Sequence, residues 1–178
     1  MVFFPVSGKL QKTGQKLVKQ LKNDSHRCRC YFSGLVSGIV ATAVMTVTEI
    51  PSWRKWGLLG VFEWHENQVL STRFFHIPRD TLSFKCIFFM HFLNGSLAGI
   101  AFPLILSILD IPITQDYVLV SSVAYGFVLW IVTLVPIHKP ITGYSVWNHQ
   151  LGHLPAIASL IGHLIYGLVL GIVIMINY

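Results

Sequence analysis

Two histidines and one glutamate stand within otherwise apolar stretches of the sequence. His91 and His163 each lie inside such a stretch, and Glu49 lies near the end of another. Ionisable side chains are costly inside a membrane, where they usually face a bundle interior and mark functional sites. Neutral imidazoles and carboxylates are ligands that both zinc and copper accept. The three residues are therefore candidate ligands of a metal site within the membrane.

More histidines lie toward the same predicted membrane side. His149 and His153 are four residues apart, so a helix there would place both on one face. With Cu or Zn as the metal, the predicted ligands are Glu49, His91, His163 and His153. Two alternatives stay open. The intramembrane histidines pair by hydrogen bonds across helices while the loop histidines are solvated, or Glu49 and the two intramembrane histidines relay protons.

Small residues recur at every fourth position in three of the apolar stretches. Such stripes let membrane helices approach closely, because association in lipid depends on packing. The predicted helix-packing positions are Gly34, Gly38, Gly95, Gly99, Gly167 and Gly171. Packing explains these glycines without any ligand. It also predicts that the intramembrane histidines face the bundle, because each lies one turn before a glycine pair on the same helical face.

Two of the stretches share a pattern that indicates an internal repeat. Residues 91–99 and 163–171 both read His-x-x-(Asn/Tyr)-Gly-x-x-x-Gly, with a spacing of 72 residues. The other two stretches match more loosely, with Gly38 and Gly126 in their first halves and Pro51 and Pro136 at their exits. Each unit would be a helix, a long outer connection and a helix. Two such units would form a parallel repeat.

The composition of the whole chain is typical of an integral membrane protein. Hydrophobic residues make up 53% of the sequence and charged residues 11%, whereas soluble domains carry about 25% charged residues. Four apolar segments are long enough to cross the hydrocarbon core as helices: 31–50, 86–109, 117–137 and 155–176. The predicted fold is all-α, with residues 31–178 forming a bundle of four transmembrane helices in two parallel helix-pair repeats.

The first 30 residues carry the whole net charge of +6. Apolar residues interleave with the lysines at helical spacing, which predicts that residues 1–30 form a basic amphipathic arm on the membrane surface. Because the arm adjoins a span, it is expected to bind lipid headgroups rather than nucleic acid. Basic residues before the first span favour a cytoplasmic N-terminus. The expected location is the cell (cytoplasmic) membrane, as a multi-pass protein in the lipid bilayer.

The connection after the first span is too apolar for a free loop. It is rich in tryptophan and phenylalanine, which suit the headgroup zone of a membrane. Apolar side chains share one helical face of residues 53–70, which predicts an interfacial helix there. Residues 110–116, by contrast, predict a tight turn between the second and third spans.

Three features together resemble a known group of proteins. They are the stretch from Glu49 to Gly57 (EIPSWRKWG), the stretch from Glu63 to Asn67 (EWHEN), and the two His-x-x-x-Gly-x-x-x-Gly helices. They look like the uncharacterised small four-helix membrane proteins of ammonia-oxidising archaea, over about residues 31–178. Some small membrane proteins of those organisms are accessory subunits of the archaeal ammonia monooxygenase, a copper membrane enzyme. The resemblance implies an accessory role of that kind and transfers no catalytic residue.

The sequence carries no motif for catalysis. No serine stands in a Gly-x-Ser-x-Gly context, and no glycine-rich phosphate loop with a lysine is present. The expected function is therefore a non-catalytic accessory or structural subunit of a larger membrane complex, with other membrane proteins as partners. The alternative is binding or transport of Cu or Zn through the intramembrane Glu/His cluster.

Overall fold

The computed structural model describes the backbone of residues 8–57, 61, 67–68, 70–142, 145, 148 and 151–177. It describes side chains over the same residues except 8–28, 79 and 134–142. Within this described part the chain is helical and has no strand. Four helices are long and apolar enough to cross a membrane. The prediction of a helical fold with four helices long and apolar enough to cross a membrane is confirmed for the described residues, and the two parallel repeats stay a prediction.

The first helix, α1 (Gly8–Trp56), covers both most of the predicted basic arm and the first predicted span. The backbone of residues 8–30 continues directly into the first span, rather than forming a separate short helix. The helix also continues past Pro51, the expected exit of the span, since a proline removes one main-chain hydrogen bond but need not end a helix. It ends beside Gly57, whose φ of +61° is left-handed and without strain for glycine.

The connection after α1 is described in part, and it folds back onto the bundle. It contains a π-helical turn at Leu70–Phe74 and a 3₁₀ turn at Arg79–Thr81. Asn67 and Ser71 are buried in it. Of the predicted interfacial helix, residues 53–56 belong to α1, and residues 58–60, 62–66 and 69 lie outside the described residues.

Three further helices complete the bundle: α2 (Phe84–Ile108), α3 (Gln115–Thr142) and α4 (Leu154–Asn177). At the start of α2, the side chain of Ser83 accepts a hydrogen bond from the main-chain nitrogen of Cys86, which satisfies one of the free N–H groups of the first turn. The connection between α2 and α3 is short, as predicted for residues 110–116.

The order of packing follows from which helices touch. Helix α1 lies between α2 and α4, and α3 packs against the other side of α4. Helices α2 and α3 are joined by long side chains, since the hydroxyl of Tyr125 donates to the carbonyl oxygen of Ala98 at 2.9 Å. The main apolar core lies among all four helices and includes Ala41, Phe102, Val118 and Leu170.

Candidate intramembrane site

Helices α1 and α2 approach each other at main-chain distance. A Cβ atom added at Gly34 would lie 2.5 Å from the carbonyl oxygen of Gly99, and one added at Gly38 would lie 2.5 Å from the carbonyl oxygen of Gly95. Neither position has room for a side chain, because the atoms in the way belong to the main chain of α2. The glycines therefore set the close spacing of this helix pair.

Helices α3 and α4 form a second close contact. Gly167 packs against the carbonyl oxygen of Ser122, Gly171 packs against the Ser122 side chain, and Gly126 packs against α4 at Gly167. Ser122 thus touches both Gly167 and Gly171, as Gly38 touches both Gly95 and Gly99 in the first pair. All six predicted packing glycines lie at contacts between helices of this chain.

A small cavity with a mixed polar and apolar lining lies between the four helices. Its volume is about 90 Å³, more than the roughly 15 Å³ that one water molecule requires. All four helices and the first outer connection contribute to its wall. The polar residues that line it are Thr42, Asn67, His91, Asn94, Thr133, His163 and Tyr166. The two intramembrane histidines, from different helices, thus share one cavity.

The ring of His91 is held by α1. Its Nε2 atom lies 3.1 Å from the hydroxyl oxygen of Thr46. Thr46 donates its only hydroxyl proton to the carbonyl oxygen of Thr42, at 2.7 Å, so its oxygen accepts a hydrogen bond from Nε2–H of His91. In the neutral ring the acceptor atom is then Nδ1.

The ring of His163 is held by its own helix. Its Nδ1 atom lies 3.0 Å from the carbonyl oxygen of Ser159. A carbonyl oxygen can only accept, so Nδ1 carries the proton, and Nε2 is the acceptor atom of the neutral ring. The two histidines therefore carry opposite tautomers. Each has one ring nitrogen fixed by a protein oxygen, which is how metal-binding histidines are commonly oriented.

Glu49 is buried, three residues beyond Thr46 at the end of the Thr42/Thr46 face of α1. Its Oε1 atom would lie 3.0 Å from a Cβ atom at Gly162, the residue before His163. The absence of a side chain at Gly162 therefore makes room for the carboxyl group. Gly162 is not one of the predicted packing glycines.

The fourth predicted ligand, His153, lies apart from this group. It is exposed and precedes α4. Ten residues separate it from His163, or about 15 Å at 1.5 Å per helical residue, so the two do not share a ligand shell. Among the described residues, no group of three or more His, Cys, Asp or Glu side chains could hold a metal ion. The side chains of Glu63, His65, Glu66, His138 and His149 are outside the described set.

Asn94 and Tyr166 also line the cavity, although neither was a predicted site residue. They occupy the same position of the His-x-x-(Asn/Tyr)-Gly pattern in α2 and α4. Asn94 donates a hydrogen bond from Nδ2 to Oδ1 of Asn67, at 2.7 Å, which ties the outer connection to α2. Tyr166 donates from its hydroxyl to the carbonyl oxygen of Gly95, at 2.7 Å, which ties α4 to α2. A polar residue one turn after each histidine was the sequence signal for both contacts.

The match to known proteins extends over most of the chain. Residues 28–177 match DUF6789, a family of unknown function. The chain belongs to this family. No curated protein matches it, and no solved structure matches it. The matched residues of this DUF6789 member contain all four spans and the cavity, and they begin near the end of the basic arm.

Proposed function

We propose that this DUF6789 protein is a non-catalytic membrane protein that binds a transition-metal ion inside its helix bundle, through His91 and His163. The observation that carries the proposal is that both histidines line one cavity between the four helices. Transport of the ion across the membrane would use the same residues.

The orientation of the two rings supports metal binding. Each histidine uses one nitrogen to donate to an oxygen of its surroundings, at 3.1 Å for His91 and 3.0 Å for His163. The acceptor nitrogens are Nδ1 of His91 and Nε2 of His163, and a neutral imidazole binds a metal through such an atom.

The metal content of the purified full-length protein tests this proposal. We expect wild-type protein from metal-supplemented cells to retain about one Cu or Zn ion per chain, and His163→Ala to lose it. His153→Ala is the matched control, because His153 is exposed and distant, and it should retain the ion. Gel filtration and helical circular dichroism would verify that both variants fold. Metal-free wild-type protein, or full retention by His163→Ala, would contradict the proposal.

A second candidate function is the accessory subunit that the sequence resemblance implies. The observation that favours it is the exposure of α3. Only 22% of its most apolar stretch is buried inside the protein, against 44% for α4. A span with so much outward surface is available to a helix of another membrane protein. The packing glycines do not serve this purpose, since their contacts lie within the chain. The resemblance suggests a copper monooxygenase complex as the partner.

Purification in mild detergent, followed by mass spectrometry of co-eluting subunits, tests the accessory role. A stoichiometric monooxygenase subunit that is lost on Val128→Trp in α3, but kept on Val44→Trp in α1, would support it. Both valines are exposed, so they form a matched pair. Wild-type protein that elutes without any other subunit would exclude a stable complex of this kind.

We also infer that the two helix pairs are parallel repeats in the cytoplasmic membrane, with the N-terminus in the cytoplasm. The glycine contacts in both pairs support the repeat, and the basic arm supports the orientation. Cysteines at Lys12 and Gln115 should be shielded from an impermeant thiol reagent added outside cells, whereas one at Ser145 should react. The opposite labelling pattern would invert the orientation.

A further inference from the structure

The cavity also contains a sulfur ligand that the proposal above does not use. We infer that it is a Cu(I) site in which the thioether of Met45 joins the two histidines. This inference rests on the proposed metal-binding function and names the metal. It adds a residue of α1 to histidines from α2 and α4, so the ion would tie three helices together.

Met45 lies close to the turn of α4 that carries His163. It lines the same cavity as both histidines, and its side chain is only 4% exposed. Its Cε atom would lie 3.3 Å from a Cβ atom at Gly162, the residue before His163. The missing side chain of Gly162 thus makes room for the thioether as well as for the carboxyl group of Glu49.

The donor set favours Cu(I) over Zn. A thioether is a soft ligand that selects Cu(I), and imidazole is compatible with it. Structural zinc, in contrast, is almost always bound by four ligands drawn from Cys, His and carboxylates. The described residues contain no group of three such side chains that could hold an ion. Two histidines with a methionine therefore suit Cu(I), which is stable at low coordination number.

The hydroxyl groups of the cavity are consistent with a cationic guest. Thr42 donates its proton to the carbonyl oxygen of Gly38, and Thr133 donates to that of Leu129, both at 2.7 Å. Each hydroxyl has only one proton, so it presents only lone pairs in other directions. Lone pairs attract a cation and repel an anion, so these two hydroxyl groups favour a cation as their neighbour.

A methionine in a core can also be simple filler, because its flexible chain fits irregular gaps. Met45 does pack in the main apolar core. The substitution Met45→Leu separates the two roles, since leucine has a similar volume and no sulfur. Met175→Leu is the matched control. Met175 also packs against that core, from the opposite end of α4, and does not line the cavity.

The test is an anaerobic titration of the purified full-length protein with Cu(I), in competition with a chromogenic Cu(I) chelator, and a parallel titration with Zn²⁺. We expect wild type and Met175→Leu to bind Cu(I) equally. Met45→Leu should bind it about tenfold or more weakly, with Zn²⁺ binding unchanged. Copper X-ray absorption should show a sulfur neighbour in wild type that is missing in Met45→Leu.

The outcomes distinguish this inference from the proposed function. If wild type binds Cu(I) and Met45→Leu binds it equally, with no sulfur signal in either, the inference is overturned and metal binding by the histidines stands. The same holds if wild type prefers Zn²⁺. If wild type binds neither metal, the proposed function fails, and the Cu(I) site fails with it.

Discussion

The two helix pairs of the bundle use the same sequence pattern but hold their histidines differently. In the α1–α2 pair, His91 donates across the interface to a side chain, the hydroxyl of Thr46. In the α3–α4 pair, His163 donates within its own helix to a main-chain oxygen, that of Ser159. A shared pattern has therefore produced opposite tautomers, and the acceptor nitrogen differs between the two rings.

The glycine contacts differ in a related way. A Cβ atom at Gly95 would meet mainly the side chain of Thr42, whereas one at Gly167 would meet the main chain of Ser122. A side chain can move or be replaced, and a main chain within a helix cannot. The contact at Gly95 is thus adjustable by substitution in α1, while the contact at Gly167 is fixed by the backbone of α3.

The largest effect is expected where main chain meets main chain. Gly99→Leu and Gly167→Leu should each reduce the free energy of unfolding by about 3 kcal/mol or more, because neither helix can move aside without opening the bundle. Unfolding in detergent, monitored by circular dichroism, would measure this. Leu97→Ile is the control, since Leu97 is exposed and should change stability by less than about 0.5 kcal/mol. Equal tolerance of all three changes would refute the packing account.

A smaller and more selective effect is expected from alanine. Gly167→Ala should cost about 2 kcal/mol and Gly95→Ala about 1 kcal/mol, within the range for overpacked sites. Thr42→Ala should rescue Gly95→Ala, because it removes the hydroxyl in the way. It should not rescue Gly167→Ala. A double-mutant cycle measures the coupling, and a rescue of both variants or of neither would show that the two interfaces do not differ in this respect.

The smallest effect on stability is expected at Thr46. Thr46→Val removes the acceptor for Nε2–H of His91 and should cost about 0.6 kcal/mol, the average for such bonds between membrane helices. Nitrogen NMR of protein labelled at histidine should show opposite tautomers in wild type. In the variant the His91 signal should shift and the His163 signal should stay. Thr48→Val serves as the control, because the Thr48 hydroxyl bonds within α1. Identical tautomers in wild type would disprove the assignment.

The four long helices could be predicted from the sequence because each coincides with an apolar run long enough to cross a membrane. Runs of apolar residues must form helices in lipid, since every main-chain polar group needs a partner there. The stripes around Gly95 and Gly167 likewise indicated close contacts. The extent of α1 was harder to predict, because Pro51 commonly ends helices and yet the tertiary structure keeps it helical.

The composition of the cavity could not be predicted from the sequence. Met45 and Asn67 look like a span residue and a loop residue, and only the packing of α1 and the outer connection brings them to the histidines. His153 shows the opposite error, since its four-residue spacing from His149 has no bearing on its distance from His163. Local spacing predicts which residues share a face of one helix, but not which faces of different helices meet.

The most direct test of the account is to locate a bound metal in the bundle. Crystals of the full-length protein grown anaerobically with Cu(I) would be measured at the copper absorption edge. We expect one anomalous peak in the central cavity, bounded by His91, His163 and Met45. A peak at another site only, or a cavity without copper in which either histidine points to lipid, would contradict the account.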